Sequence, residues 1–429
     1  MDRVLSAVAA LVAGGCVVLL LQWNKRRRRL TRSVAQSEGP MSRELDPGLE
    51  TAMYRMGKKG CLNLCNALFF STKEVLKEET ILLALKRIGL RHPLCRMKIT
   101  EEADGRCVFR EMETYAVDFS VSQSSDWITE FERQMKTPWS ADKGPMWRAV
   151  WMPQVPTTYT TESHPFQTVL LFGFNHAIVD GTSYCKIFNE FIDDLEAIHH
   201  GDTAQPLSQP LPPGQRNPWV AAKGEVSDVN PECESKTSVI PLELDKDLTQ
   251  KLIQKSKAKG ATLQGTFQVA SMAAMAEVLD CSLDGLRWSS LVTVNLRRVH
   301  PEKLDSQHVV PYFGGLNSSY LLPPNWKDKF WQCAREVSES LHDDLPGAIQ
   351  RTMEGWAFQH MCGISPAMLT LNGSRTENYM AFTNLGNCNY LNRPDENVVQ
   401  LKARFGGSAE HERGHTTASN IMTLQGRIC

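Results

Sequence analysis

In the stretch FNHAIVDGTS, residues 174–183, His176 is followed four residues on by Asp180 and then by Gly181. A neutral imidazole suits proton abstraction from a hydroxyl or amine, because its ordinary pKa lies close to working pH. The run before it, TVLLFGF, has the continuous apolar character of a buried strand. The run after it, SYCKIFNEFIDDLEAI, carries Tyr184, Ile187, Phe188, Phe191, Ile192 and Leu195 at helical spacing. His176 is thus expected on a loop between a rigid strand and a rigid helix, where catalytic groups concentrate. Asp180 falls at the helix start, where a carboxylate caps free N–H groups or pairs with a cation. Gly181 permits a backbone conformation or an approach that a side chain blocks. On these ten residues alone, a core histidine beside a capping aspartate is the more ordinary reading.

A second pattern competes. His411, Glu412 and His415 spell H-E-x-x-H, the signature in which two histidines one helical turn apart bind zinc. That geometry needs a helix, yet the context FGGSAEHERGHTTASN has glycines at 406, 407 and 414 and no apolar stripe. A glycine inside a helix costs about 1 kcal/mol relative to alanine. The segment therefore reads as a polar loop beside a late strand, and no metal site is expected.

The elements around these residues fall into two groups. VLKEETILLALKRI (75–88) has helical periodicity, and MKITEE with RCVFREME reads as a hairpin about the Asp104-Gly105 turn. MWRAVWM, 146–152, is a short strand. HHGDTAQPLSQPLPPGQRNP is proline-rich and polar, a crossover rather than a packed element. Beyond it, LTQKLIQKSKAKG and TLQGTFQVASMAAMAEVL read as helices, RWSSLVTVNLR as a strand, WKDKFWQCAREVSESLHDDL as a helix and NYMAFTNLG as a strand. Helices and strands mix in both halves without strict alternation, which predicts an α/β protein of mixed sheets with α+β character.

At 429 residues the chain exceeds what one core ordinarily organises. A formal net charge of −1 leaves no cationic excess for phosphate contacts, which excludes nucleic acid as a bulk partner. The twelve cysteines include no C-x-x-C pair, so neither a zinc ribbon nor a disulfide framework is indicated. The N-terminus differs from the rest. Residues 4–23, VLSAVAALVAGGCVVLLLQW, are free of charge and match the ~20 residues a helix needs to cross a bilayer. KRRRR follows at 25–29, whereas a cleaved signal peptide carries its basic residues before the apolar run. The positive-inside rule then puts everything downstream on the cytosolic side. The expected order is an anchor with basic flank over 1–30, a tether over 31–45, a first lobe over 46–200, the proline-rich crossover over 201–237 and a second lobe over 238–429. The protein is expected to be single-pass, in the endoplasmic reticulum, with its catalytic body facing the cytosol.

Taken in order, several stretches resemble the chloramphenicol acetyltransferase-like superfamily, which includes alcohol acetyltransferases and peptide-synthetase condensation domains. NHAIVDG resembles its H-H-x-x-x-D-G signature, ALKRIGLRHPLCRMKI its early helix and strand, and GPMWRAVWM a further strand. TLQGTFQVASMAAMAEVL resembles the buried helix of its second lobe, VTVNLRRV and AFTNLGN two of its strands. The resemblance spans about 45–425 and implies two pseudo-symmetric lobes with a central tunnel. It further implies acyl transfer from acyl-CoA, as co-substrate rather than bound cofactor, to an alcohol acceptor that the anchor's bilayer setting would make lipophilic. His176 would be the general base, Asp180 would hold the loop through an ion pair with Arg297, and Thr383, with Asn384 beside it, would face the tunnel or the developing oxyanion. The family's first signature histidine is Asn175 here, which the resemblance makes a further candidate to line the tunnel or face the oxyanion. The family usually continues beyond LQGRIC through a last strand and helix, so the second lobe is expected to be short. N-acyl transfer, carrier-dependent condensation and a non-catalytic acyl- or lipid-binding role remain the alternatives.

Overall fold

The computed structural model describes residues 40–429 except 59, 157–158, 215–236, 279–286, 299–307, 363–378 and 410–416. The apolar run at 4–23, its basic flank and the HERGH motif all lie outside the described residues. Among the described residues no helix is long and apolar enough to cross a membrane. Residues 42–429 form one compact unit.

Two five-stranded sheets organise that unit. The first runs β11-β2-β7-β6-β5, from Val399–Ser408 (β11), Leu64–Thr72 (β2), Phe166–Phe174 (β7), Trp147–Met152 (β6) and Asp118–Val121 (β5). Its pairings are antiparallel except β5 with β6. Every residue of β2 is buried, as a central strand covered on both faces requires. A small sheet of Ser42–Glu44 (β1), Met97–Glu101 (β3) and Cys107–Glu111 (β4) sits apart, with β4 in the middle. The expected hairpin is β3 and β4, turning through Gly105 at φ +82°. β1 corrects the sequence reading: residues 42–44, taken for the end of a tether, are a paired strand.

Helices cover these strands: Leu49–Lys58 (α1), Glu78–Arg91 (α2), Trp127–Lys136 (α3) and Gly181–His199 (α4). The predicted stripe of α4 is buried in full, and Phe188 and Phe191 meet Phe172 of β7 at ring-centroid distances of 5.3 and 5.4 Å. Each such burial contributes about 1.5–3 kcal/mol, so α4 is fastened along the strand that delivers the chain to His176.

The second five-stranded sheet, β13-β12-β10-β8-β9, uses Arg427–Ile428 (β13), Thr417–Leu424 (β12), Tyr379–Asn387 (β10), Arg287–Asn295 (β8) and Phe313–Leu321 (β9). β10 is parallel to both neighbours, and β9 is antiparallel to β8. Lys246–Ala258 (α5), Leu263–Val278 (α6) and Trp326–Cys362 (α7) complete this half. α7 continues through Pro346, beyond the end at Leu345 that the sequence suggests; proline removes one helix hydrogen bond without necessarily ending the helix. Met272 and Ala276 of α6, Trp288 of β8, Phe382 of β10 and Val337 of α7 share one core. Gly265 sets the approach of α6 to α7, since a Cβ there would fall 2.7 Å from the Ala334 carbonyl oxygen.

The two halves exchange a strand. β11 belongs by sequence to the second half, yet it pairs with β2 from Val399–Thr72 to Ser408–Leu64 and completes the first sheet. The chain then returns to its own half as β12. A clean division at the proline-rich segment therefore misplaces β11.

Candidate active site

β7 ends at Phe174 and α4 begins at Gly181, so residues 175–180 form the loop that the sequence pattern anticipates. Asn175 shapes its first turn. Its backbone N–H donates to the Met146 carbonyl at 3.0 Å, its carbonyl accepts from Ile178 N–H at 3.2 Å, and its side-chain Oδ1 accepts from Ala177 N–H at 2.9 Å. The Asn175 side chain is buried toward α1, close to Gly57. It organises the loop from within the first half.

His176 follows, and three contacts define it. Its Nδ1 lies 2.8 Å from the Val179 carbonyl oxygen. A carbonyl only accepts, so Nδ1 carries the hydrogen and the neutral ring keeps its lone pair on Nε2. The ring stacks on Phe313, the first residue of β9, with centroids 4.8 Å apart and planes 25° from parallel. Its surroundings shift its proton affinity. Desolvation of the imidazolium is the largest influence and lowers the pKa below the ordinary histidine value, against the opposing pull of the Asp180 carboxylate and the Val179 carbonyl. As a residue His176 is half-buried. With Nδ1 held by the Val179 carbonyl, the lowered proton affinity favours the neutral ring.

Asp180 turns away from His176 and into the protein. It caps α4 by accepting from Ser183 N–H at 2.8 Å, and it accepts from Tyr312 N–H at 2.8 Å. Arg297, just after β8, donates to both its oxygens, from Nη1 at 2.6 Å and Nη2 at 3.1 Å. Arg297 Nη2 also donates to Ser183 Oγ at 3.0 Å and to the Val310 carbonyl at 2.6 Å. Burial alone would raise the Asp180 pKa, but the Arg297 charge and these hydrogen bonds hold it below the usual carboxylate range. The pairing of Asp180 with Arg297 expected from resemblance is thus present in this geometry. It ties the His176 loop of the first half to the second half.

Gly181 serves close approach. A Cβ there would lie 2.6 Å from Leu385 Cδ2 on β10, a second contact between the halves. A third is Asn295 Nδ2 donating to Thr182 Oγ1 at 2.9 Å. On β10, Phe382 sits in the second core and Asn384 Nδ2 reaches Gln264 Oε1 of α6 at 3.3 Å. Alternation therefore turns Thr383 to the other face, where its hydroxyl accepts from Thr293 Oγ1 at 3.2 Å. The structure separates the two neighbours nominated together: Asn384 belongs to the helix side, Thr383 to the opposite one.

Two participants escaped sequence reading. Phe313 stands in PYFGGLNSS, a block to which the sequence assigned no role, and only the folding of β9 against β8 brings its ring to His176. Arg404 of β11 is 2% exposed and lies under the start of α4. Its Nε donates to Asn66 Oδ1 at 3.0 Å, its Nη2 to the same oxygen and to Tyr184 Oη at 2.8 Å, and its Nη1 meets the Met422 sulfur at 4.0 Å.

The chain matches no known protein-family profile and no curated protein. Solved structures do match it. Trichothecene 15-O-acetyltransferase TRI3 from Fusarium sporotrichioides aligns with a TM-score of 0.62 at 13% identity, over 92% of this chain and 91% of that one. Polyketide synthase associated protein 5 from Mycobacterium tuberculosis aligns at 0.60 and 10% identity, over 90% and 92%. The first condensation domain of the CDA synthetase aligns at 0.56 and 13% identity, over 91% and 92%. The fold is that of the condensation-domain, chloramphenicol acetyltransferase-like group. In this condensation-type fold, the loop holding His176 is where the ordered motifs resembled the family signature, and the exchanged strand β11 is part of the architecture that positions it.

Proposed function

We propose that the protein transfers an acyl group from acyl-CoA to a hydroxyl acceptor, with His176 as general base. The observation that carries this reading is the Nδ1 contact to Val179, which leaves Nε2 as the basic nitrogen of a ring already biased toward its neutral form. In the proposed step Nε2 takes the acceptor's proton while the acceptor oxygen attacks the thioester carbonyl. The C–S bond of the tetrahedral intermediate then breaks, and the imidazolium returns the proton to the departing thiolate. Thr383, on the face of β10 turned away from α6, is the proposed donor to the oxyanion, and Asp180 with Arg297 holds the loop. A tunnel between the two halves would admit donor and acceptor from opposite mouths. The apolar run at 4–23 would tether this body at the endoplasmic reticulum membrane on the cytosolic side, which favours a lipophilic acceptor.

The test measures thiol release by the purified full chain from short- and long-chain acyl-CoA with pooled alcohols, and in parallel with amines. His176→Ala should lose about 10²–10⁴ in rate; equal turnover in both proteins removes His176 as base. Because only the neutral ring accepts a proton, kcat/KM should be flat above neutrality and fall as pH drops through the lowered pKa of His176. That acid limb should lie below about 6.5, and a limb above that value contradicts the assignment. Turnover with amines alone would turn the reading to N-acyl transfer or condensation.

A further inference from the structure

Three contacts join one end of the second sheet to the His176 loop and the start of α4. Phe313, the first residue of β9, stacks on His176; Asn295, the last of β8, donates to Thr182; and Leu385, near the end of β10, lies against Gly181. One row back from that end, two strands are tied through their side chains. Thr293 stands two residues before Asn295 and Thr383 two before Leu385, roughly 6.6 Å along each strand. Both are half-buried.

The bond between them has a direction. Thr293 Oγ1 donates to Thr383 Oγ1 at 3.2 Å and to the Phe382 carbonyl at 3.4 Å, so its one hydrogen is held between two acceptors. Thr383 therefore accepts, and its own hydrogen is left to be given elsewhere. Among the described residues no other side chain or carbonyl is bonded to that hydroxyl. Cross-strand threonine pairs are ordinary sheet contacts. This one differs in where its remaining donor stands, one row from the phenylalanine that stacks on His176.

We propose that Thr293 is a positioning residue, whose hydroxyl fixes Thr383 as a hydrogen-bond donor to the carbonyl oxygen on which negative charge develops. This role rests on the proposed function of Thr383 as oxyanion donor. A bond accepted by the Thr383 oxygen polarises its O–H and strengthens the bond that it donates. A donor already oriented also needs no reorganisation when the charge forms. Without the Thr293 hydroxyl, the Thr383 rotor loses that fixed orientation. Thr293 itself acts only through Thr383.

The experiment measures kcat and KM for thiol release by the full chain and by Thr293→Val, Thr293→Ser, Thr383→Val and the double valine variant. Valine keeps the shape of threonine and removes its hydroxyl. Thr383→Val should lower kcat about 10²-fold or more. Thr293→Val should lower kcat about tenfold with KM unchanged, because the supported bond is made in the transition state, and Thr293→Ser should restore it. The double variant should be no slower than Thr383→Val alone, since nothing is left for Thr293 to orient. Thermal melting separates a lost hydroxyl from lost folding, with Thr293→Ala as the second hydroxyl-free variant. Full kcat in Thr293→Val beside an impaired Thr383→Val overturns the positioning role and leaves the oxyanion role standing. Losses that multiply in the double variant overturn it too, by showing that Thr293 acts independently. Full kcat in Thr383→Val, or no turnover by the wild type, removes the oxyanion role and the positioning role with it.

Discussion

Two buried arginines join the halves of this molecule, and they are stabilised in opposite ways. Arg297, 6% exposed, faces Asp180 with two short hydrogen bonds, and Ser183 Oγ and the Val310 carbonyl take up further donors. Arg404, 2% exposed, has no carboxylate partner among the described residues; its partners are an amide oxygen, a phenol and a thioether, with the guanidinium 4.9 Å from the Tyr184 ring centroid. The first is an ion pair whose members each compensate the other's desolvation. The second relies on dipoles and an aromatic face to hold a charge that burial disfavours. Breaking the first strands a charge, whereas neutralising the second removes one.

Substitution should expose that difference. Arg297→Met leaves Asp180 buried with only the Ser183 and Tyr312 N–H groups, and should cost about 3–5 kcal/mol in urea unfolding. A double variant with Asp180→Leu should recover part of this loss, and strict additivity would refute coupling between the two. The pH dependence has a definite sign. Because the Asp180 pKa is lowered in the folded state, its contribution is complete above the unfolded carboxylate pKa and lost as pH falls through the folded one. That acid-labile part of the wild-type stability should be missing in the double variant.

Arg404→Met should cost much less, under about 2 kcal/mol. It leaves the Asn66 and Tyr184 oxygens short of a donor, at about 1–3 kcal/mol, while the removed burial of an unpaired cation offsets that loss. A loss as large as that of Arg297→Met would erase the distinction drawn here. Gly181→Ala should be the smallest, near 1 kcal/mol, because the clashing atom is the mobile end of Leu385 and the helix start gains from alanine. A loss above about 3 kcal/mol would mean that the contact between the halves cannot yield.

Much of the first arginine's setting was legible in the residues. The apolar run into Phe174, the helical stripe from Tyr184 to Leu195 and the aspartate between them specify strand, loop and capped helix by period and capping chemistry alone. Arg297 at the end of VTVNLR could be nominated because a resemblance supplied the pairing. The second arginine had no such signal. LKARFGGS shows neither clean alternation nor a motif, since β11 is added at the edge of the first sheet and its register is set by β2, more than three hundred residues away in the chain. β2 itself, buried at every position, lacks the period-two pattern that betrays a half-exposed strand. Phe313 likewise became a partner of His176 only when β9 paired with β8.

The sequence by itself determined the local elements, the loop that presents His176 and the carboxylate that caps the following helix, because these depend on neighbours within a few turns of chain. Only the tertiary structure decided which nitrogen of His176 the Val179 carbonyl holds, which face of β10 bears Thr383, that Asn175 organises the loop from inside the first half, and that β11 crosses into the first sheet. Those outcomes depend on register and burial between segments distant in sequence, and periodicity within one segment carries no information about what will be packed against it.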